Sequence, residues 1–208
     1  HSRRWVRRFE RRGGEVLRLA GREALERLDD ITAIEARSWK GRAGTARFQP
    51  GPGGDLLRTA FESTTAETME VWLAVAEEQP IAFQINFLTP GRLLYYQGAY
   101  DEAHRSHYAG GVLHHHALAH AWDEGRREYD FMAGGEAYKA DWTTGARTLR
   151  YLALHPPTVR GRAAYGLLVA PRWRLKSWGL ARSGHARWTR LRGRLTARGR
   201  NTGTEARA

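Results

Sequence analysis

Between Met69 and Tyr100 the sequence spells out three consecutive strands, and no other stretch restricts the fold so tightly. "MEVWLAVAE" at 69–77 is one strand, and Glu78-Gln79-Pro80 is a turn. "IAFQINFL" at 81–88 alternates, with Ile81, Phe83, Ile85 and Phe87 on one face and Gln84 and Asn86 on the other. Thr89-Pro90-Gly91-Arg92 places Pro and then Gly at its centre, the signature of a type II turn. "LLYYQGAY" at 93–100 closes an antiparallel meander.

Around the meander the patterns change period. "RRWVRRFERR" at 3–12 reads as a short basic helix stopped by Gly13-Gly14, and "EVLRLAG" at 15–21 as a strand. Leu25, Leu28, Ile31, Ile34 and Glu35 follow helical spacing, which predicts one amphipathic helix over 22–39. A Gly/Pro-rich loop is expected at 40–55 and a helix at 56–67. Further on come a helix at 111–125, a strand at 127–134, a turn or short helix at 136–142 and a last strand at 147–155. The helix between Tyr100 and Tyr129 is then a β-α-β crossover, which makes its flanking strands parallel. The expectation is an α/β domain over 1–157 with a mixed sheet flanked by helices.

The net charge of +12 is concentrated at one end. Residues 1–157 hold 21 Lys+Arg against 21 Asp+Glu, and residues 158–208 hold 13 against the single acid Glu205. The basic character therefore belongs to a C-terminal extension at 158–208, with Trp173, Trp178, Trp188, Leu191 and Leu195 threaded among arginines. It is expected to be helical and basic, with a disordered end from 199. Such a segment suits docking on the domain, an anionic membrane surface or, less well, nucleic acid. There is no cysteine, so disulfides, thiolate metal sites and cysteine nucleophiles are excluded. No apolar run approaches the roughly 20 residues of a membrane span. A cytoplasmic protein, or one peripheral to the inner face of a membrane, is the expectation. The chain opens on His1 rather than Met, which reads as a processed product or as a fragment.

"HRSHYAGGVLHHHALAHA" at 104–121 carries six of the nine histidines. His116 and His120 are four apart on the predicted helix and share a face. Zinc would need a third ligand, and Ala117, Leu118 and Ala119 lie where a zinc-protease motif carries its glutamate. A packed histidine pair is the simpler reading, and no metal is expected. Gly110-Gly111 open the helix at the mouth of the crossover. The first N–H groups of a helix are unpaired and its dipole favours an anion there, so His107, Tyr108, Ala109, Gly110, Gly111 and Val112 form a candidate pyrophosphate turn. Replacing Gly111 by a bulky acid is expected to abolish binding of the phosphate-bearing ligand if this turn is the phosphate site, and only mildly to affect stability if it is not.

The element order resembles the GNAT acyltransferase fold. The segment "EYDFMAGGEAYKADW" resembles a motif of the cellulose-biosynthesis (CelD/BcsL-type) acetyltransferases, a GNAT family related to the FemAB peptidyltransferases, through Asp130, Phe131, Gly134 or Gly135, Glu136, Tyr138, Lys139 and Trp142. "EARSWKGRAG" supports it through Glu35, Ser38, Trp39, Lys40, Gly41 and Gly44. The resemblance implies acetyl-CoA or another acyl-CoA as co-substrate and an amine or hydroxyl acceptor, in envelope polysaccharide or a related metabolite. Acyl transfer needs a polarised carbonyl, which backbone amides of a splayed strand can supply, and a base for the acceptor. Asp130 and Glu136 are the candidate bases, with an ion pair to Lys139 or an arginine as the alternative for each. Tyr138 is the candidate acid, and Lys139 a candidate for positioning the acceptor. Trp39, Lys40 and Trp142 are candidates for the acceptor pocket. A FemAB-like transferase fed by aminoacyl-tRNA, and a non-catalytic binding module, are the rival readings.

Overall fold

The computed structural model describes residues 2–63, 68–150, 152, 154 and 156–171. The chain divides into two compact units, His1–Met132 and Ala133–Ala208. The first unit holds helix α1 (Ser2–Glu10), strand β1 (Glu15–Leu19) and helices α2 (Gly21–Glu26), α3 (Leu28–Arg37), α4 (Trp39–Arg42) and α5 (Pro52–Ser63). Strands β2 (Met69–Ala76), β3 (Gln79–Thr89) and β4 (Arg92–Tyr100), a 3-10 turn at Glu102–His107, helix α6 (Ala109–Asp123) and strand β5 (Glu128–Asp130) follow. The five strands form one sheet in sequence order, and the GNAT-like mixed architecture anticipated from the sequence is what is observed. β1 to β4 are antiparallel neighbours, and α6 carries the chain across to β5, which lies parallel to β4.

Both faces of the sheet are covered, which is why β2, Glu70 apart, reads as an apolar run. On one face Val71, Leu73, Phe83 and Ile85 meet Leu28, Ile31 and Ile34 of α3 and Leu57 and Phe61 of α5. On the other, Trp72, Ala74 and Ala82 meet Val6 and Phe9 of α1 and Ala109, Val112, Leu113 and Ala117 of α6. The small alanines of the strands let two helices approach this face. Ile81 does not share the face of Phe83 and Ile85 as strict alternation required: it joins the α1–α6 side. The pairing steps from Ala74↔Ala82 to Val75↔Pro80, so Ile81 is a bulged extra residue.

Several boundaries differ from the periodicity reading. The predicted 22–39 helix is two helices broken at Arg27, whose backbone (φ −104, ψ 14) leaves the helical region. The loop at 40–55 contains α4 and the start of α5, and 64–67 lie outside the described residues. The first hairpin turns on Glu77-Glu78 rather than 78–80: Ala76 pairs with Gln79, and both glutamates have positive φ. Gly91 has φ +72, as the type II turn requires. The strand expected at 127–134 is only three residues long. It stops where the Asp130 carboxylate accepts the Met132 N–H at 2.7 Å, a local bond that competes with the ladder.

In the second unit a 3-10 turn spans Ala137–Asp141, and helix α7 (Val159–Ala164) continues into a wider π turn over Tyr165–Val169. The described residues of the predicted 147–155 strand have no regular structure; Leu149, Leu152 and Leu154 are exposed. Alternation marks two faces, but a strand forms only against a partner edge, and the sheet of the described residues ends at β5. The tryptophans of the basic extension lie outside the described residues. No described helix is long and apolar enough to cross a membrane.

Candidate functional site

The sheet opens at its β4–β5 seam. β5 pairs with β4 only at Arg92↔Glu128, Leu93↔Tyr129 and Leu94↔Asp130. β4 runs on to Tyr100, and its pairing to β3 steps from Asn86↔Tyr95 to Ile85↔Gln97. Tyr96 is therefore a bulge just beyond the last residue shared with β5. A bulge bends its strand and sharpens the local twist, which carries β4 away from β5. From Tyr95 onward β4 has no strand on its outer side among the described residues. The Gly98 carbonyl accepts the Lys40 ammonium at 2.7 Å, and Lys40 lies 6.0 Å from the centre of the half-exposed Trp39 ring. Lys40 and Trp39, singled out from "EARSWKGRAG", thus stand beside the part of β4 that runs on past its last β5 partner, Leu94. The other members of that segment support them. Ser38 caps α4 through the Lys40 N–H, and buried Glu35 accepts the Arg47 and Phe48 N–H groups at 2.9 and 2.7 Å. Gly41 is required because a Cβ there would lie 2.0 Å from the Ala36 carbonyl oxygen.

The start of α6 is held by a second set of contacts. Asp101 accepts the Ala103 N–H at 2.9 Å, and the Arg37 guanidinium binds its other oxygen at 2.6 Å. Arg42 and Glu102 form a further ion pair, so α3 and α4 are tied to the loop that leads into α6. Burial opposes ionisation of Asp101. The Arg37 hydrogen bond, the Ala103 N–H, the charge of Arg37 and that of His104 outweigh it, and hold the carboxyl below its ordinary value. Tyr108, in the left-handed conformation (φ 53, ψ 31), is the residue before α6, and no side chain caps the helix.

The six residues of the anticipated phosphate turn are not equivalent. The Val112 N–H is bonded to the Tyr108 carbonyl and its side chain is fully buried, so Val112 offers neither group to a ligand. The Ala109 side chain is in the core. A Cβ on Gly111 would fall 2.9 Å from Cε3 of Trp5, so an acid there would displace the Trp5 ring of α1 as well as any phosphate. This corrects the expectation of a mild structural effect. Gly110 is open: the nearest atom to a Cβ is Tyr100 Cδ1 at 3.9 Å. The His107 ring lies edge-on to Phe9, and its Nδ1 is 3.3 Å from the His104 carbonyl.

The remaining histidines are engaged in packing. His116 and His120 both lie against the Trp72 ring, at 6.5 and 5.7 Å between centroids. Burial, and then the charge of His115, push His116 below the usual imidazole value, with Glu10 opposing. His115 Nδ1 lies 3.1 Å from the Ser2 hydroxyl, and His114 Nδ1 lies 3.1 Å from the Tyr129 hydroxyl. Among the described residues no three metal-ligating side chains converge.

The carboxylates divide between the two units. Asp130 ends β5 at the opening of the seam, with its Oδ1 on the Met132 N–H. In the second unit Lys139 pairs with Glu136 at 2.9 Å and donates to the Ala133 carbonyl at 3.0 Å. Glu136 therefore takes the ion-pair arrangement weighed for it as the alternative. Trp142 donates its N–H to the Lys139 carbonyl at 3.1 Å, and Tyr138 is partly exposed.

One arrangement had no counterpart in the sequence reading. Buried Glu70 accepts from Arg18 Nε (2.7 Å), Trp72 Nε1 (2.7 Å) and Asn86 Nδ2 (3.0 Å). Gln84 Nε2 donates to Asn86 (2.9 Å) and to the Tyr129 hydroxyl (2.7 Å). A polar chain thus runs beneath α6 from β1 to His114. Its signal was available: Glu70, Gln84 and Asn86 are polar residues in central strands, where burial demands partners.

An α/β sheet split at one parallel seam, beside the uncapped start of a crossover helix, defines the GNAT class of acyltransferase folds. Residues 1–140 match the family model described as "Acetyltransferase (GNAT) domain", and the chain belongs to that family. Among solved structures, an aminoglycoside acetyltransferase from an uncultured soil metagenomic sample, crystallised with sisomicin, aligns over 70% of this chain and 97% of its own, at 13% identity and a TM-score of 0.52. A second aminoglycoside acetyltransferase from such a sample aligns over 68% and 97%, at 13% identity and a TM-score of 0.51. At these identities the likeness speaks to the fold. No curated protein sequence matches the chain.

Proposed function

We propose that the chain transfers an acyl group, acetyl in the first instance, from acyl-CoA to an amine or hydroxyl acceptor. The observation that carries this reading is the β4–β5 seam: the parallel pairing ends at Leu94↔Asp130 while β4 runs on to Tyr100, near an uncapped α6. The outer edge of β4 beyond Leu94 suits a thioester, whose carbonyl oxygen would take a backbone N–H. The first turn of α6 at Gly110 suits the pyrophosphate.

The acceptor nitrogen or oxygen attacks the thioester carbon, the C–S bond breaks, and the leaving thiolate takes up a proton. Asp130, at the end of β5, is assigned the role of base, with Glu136 as the other carboxylate of the motif. Tyr138 is assigned protonation of the thiolate. Lys139, Trp142, Trp39 and Lys40 are assigned to the acceptor. A glycan or related envelope metabolite is the acceptor class implied by the motif at 128–142.

The test is calorimetric titration with acetyl-CoA of the wild type and of Gly110→Asp. The carboxylate enters open space and sits at a helix start, where an acid is favourable for folding. Micromolar binding, lost in the variant with the fold retained, is expected. Unchanged affinity in Gly110→Asp would remove the phosphate turn from the reading, and no binding in the wild type would overturn it.

A further inference from the structure

Helix α1 and the turn that follows it carry Arg3, Arg4, Arg7, Arg8, Arg11 and Arg12, all exposed. Val6 and Phe9 are buried against the sheet and α6, so the helix is fixed and its arginines face outward. Among the described residues none of the six pairs with a carboxylate; Arg11 Nε bonds only the Arg7 carbonyl, at 3.2 Å. Six unneutralised guanidiniums on one short element repel one another, and folding alone gives no return for that arrangement.

The position of α1 indicates what they meet. The Trp5 ring lies against Gly111 and stacks on Tyr108, with centroids 5.8 Å apart and planes within 5°. Phe9 lies against His107. Arg8 is one helical turn beyond Trp5 and shares its side of α1. The Arg12 N–H bonds the Phe9 carbonyl at 3.1 Å, so Arg12 follows Phe9 by one tight turn. Arg8 and Arg12 therefore follow, by one turn each, the two residues of α1, Trp5 and Phe9, that pack at the start of α6 and its half-exposed Tyr108. Glu10, the acid of this helix, acts on His116 further along α6.

We propose that Arg8 and Arg12 form a subsite for the 3′-phosphate of the donor's adenosine, with the Tyr108 face receiving the adenine. The inference rests on the acyl-CoA reading above and deepens it. Arginine binds a phosphate dianion by paired, charge-assisted hydrogen bonds, and the stacked Trp5–Tyr108 pair gives a purine a rigid platform. Selectivity for the 3′-phosphorylated donor follows.

The experiment is calorimetric titration of the full chain with CoA and with 3′-dephospho-CoA, for the wild type and for Arg8→Gln/Arg12→Gln. The wild type is expected to prefer CoA by about tenfold or more, the size of a lost charged hydrogen-bond pair. The variant is expected to lose that preference while binding 3′-dephospho-CoA as the wild type does. Equal wild-type affinity for the two ligands overturns the subsite and leaves the donor reading standing. A preference that survives in the variant moves the subsite off Arg8 and Arg12 and overturns the assignment. No binding of either ligand overturns both readings.

Discussion

Glu70 is the most demanding residue of the structure, and replacing it by leucine tests the account of the buried network. Its carboxylate is fully buried and takes three donors. Leucine has a similar volume, so the change removes acceptors rather than making a cavity. Trp72 and Asn86, 6% and 0% exposed, cannot reach water, and each orphaned donor costs about 1–3 kcal/mol. Arg18 is different: its side chain is 36% exposed and regains water, so the ion pair itself adds little. Relief of carboxylate desolvation returns part of the loss. The expected net destabilisation of Glu70→Leu is about 3 kcal/mol. Glu70→Gln keeps an oxygen for Trp72 and Asn86 and opposes only Arg18 with an N–H, so about 1 kcal/mol is expected. Urea unfolding followed by tryptophan fluorescence reads both. A loss below about 1 kcal/mol in Glu70→Leu, or equal losses in the two variants, would refute the reasoning.

Two further outcomes are specific. Glu77 and Glu78 have φ of 53 and 63 in a two-residue hairpin, a conformation that costs L-residues about 1–2 kcal/mol each, so Glu77→Asn/Glu78→Gly should raise the thermal midpoint; a fall would contradict the turn assignment. The lowered value of His116 means that the unfolded chain takes up its proton first. Its contribution is therefore complete above the ordinary value of about 6.5 and is lost as pH falls towards the folded-state value. Replacing His116 by Gln should flatten the decline in urea midpoint on acidification, and an unchanged decline would assign it to other groups.

How much of this could be read from residues alone follows the range of each interaction. The meander was readable because period-two alternation and the Pro90-Gly91 turn are local, and the β-α-β crossover because a helix between two strands leaves few topologies. Gly110-Gly111 were readable as the opening of α6, but not as different residues. Gly111 faces Trp5, 106 positions earlier, and Gly110 faces open space. The candidate phosphate turn therefore narrowed only once α1 had been placed. Lys40 and Trp39 were found by motif, whereas the Gly98 carbonyl that fixes Lys40 is on another strand. The Glu70 network escaped because each of its polar residues looks like an interruption until β1, β2, β3 and β5 are laid side by side.

By itself the sequence determined the types of most elements up to β5, the antiparallel core and the crossover, since periodicity and turn chemistry act within a few residues. Only the tertiary structure decided where the sheet splits. The bulge at Tyr96 and the short β5 are properties of strand pairing, and the placement of α1 beside α6 depends on Val6 and Phe9 finding one face of the sheet. The candidate site lies where those long-range contacts meet, because neither a seam nor a binding turn exists until separate elements pack together.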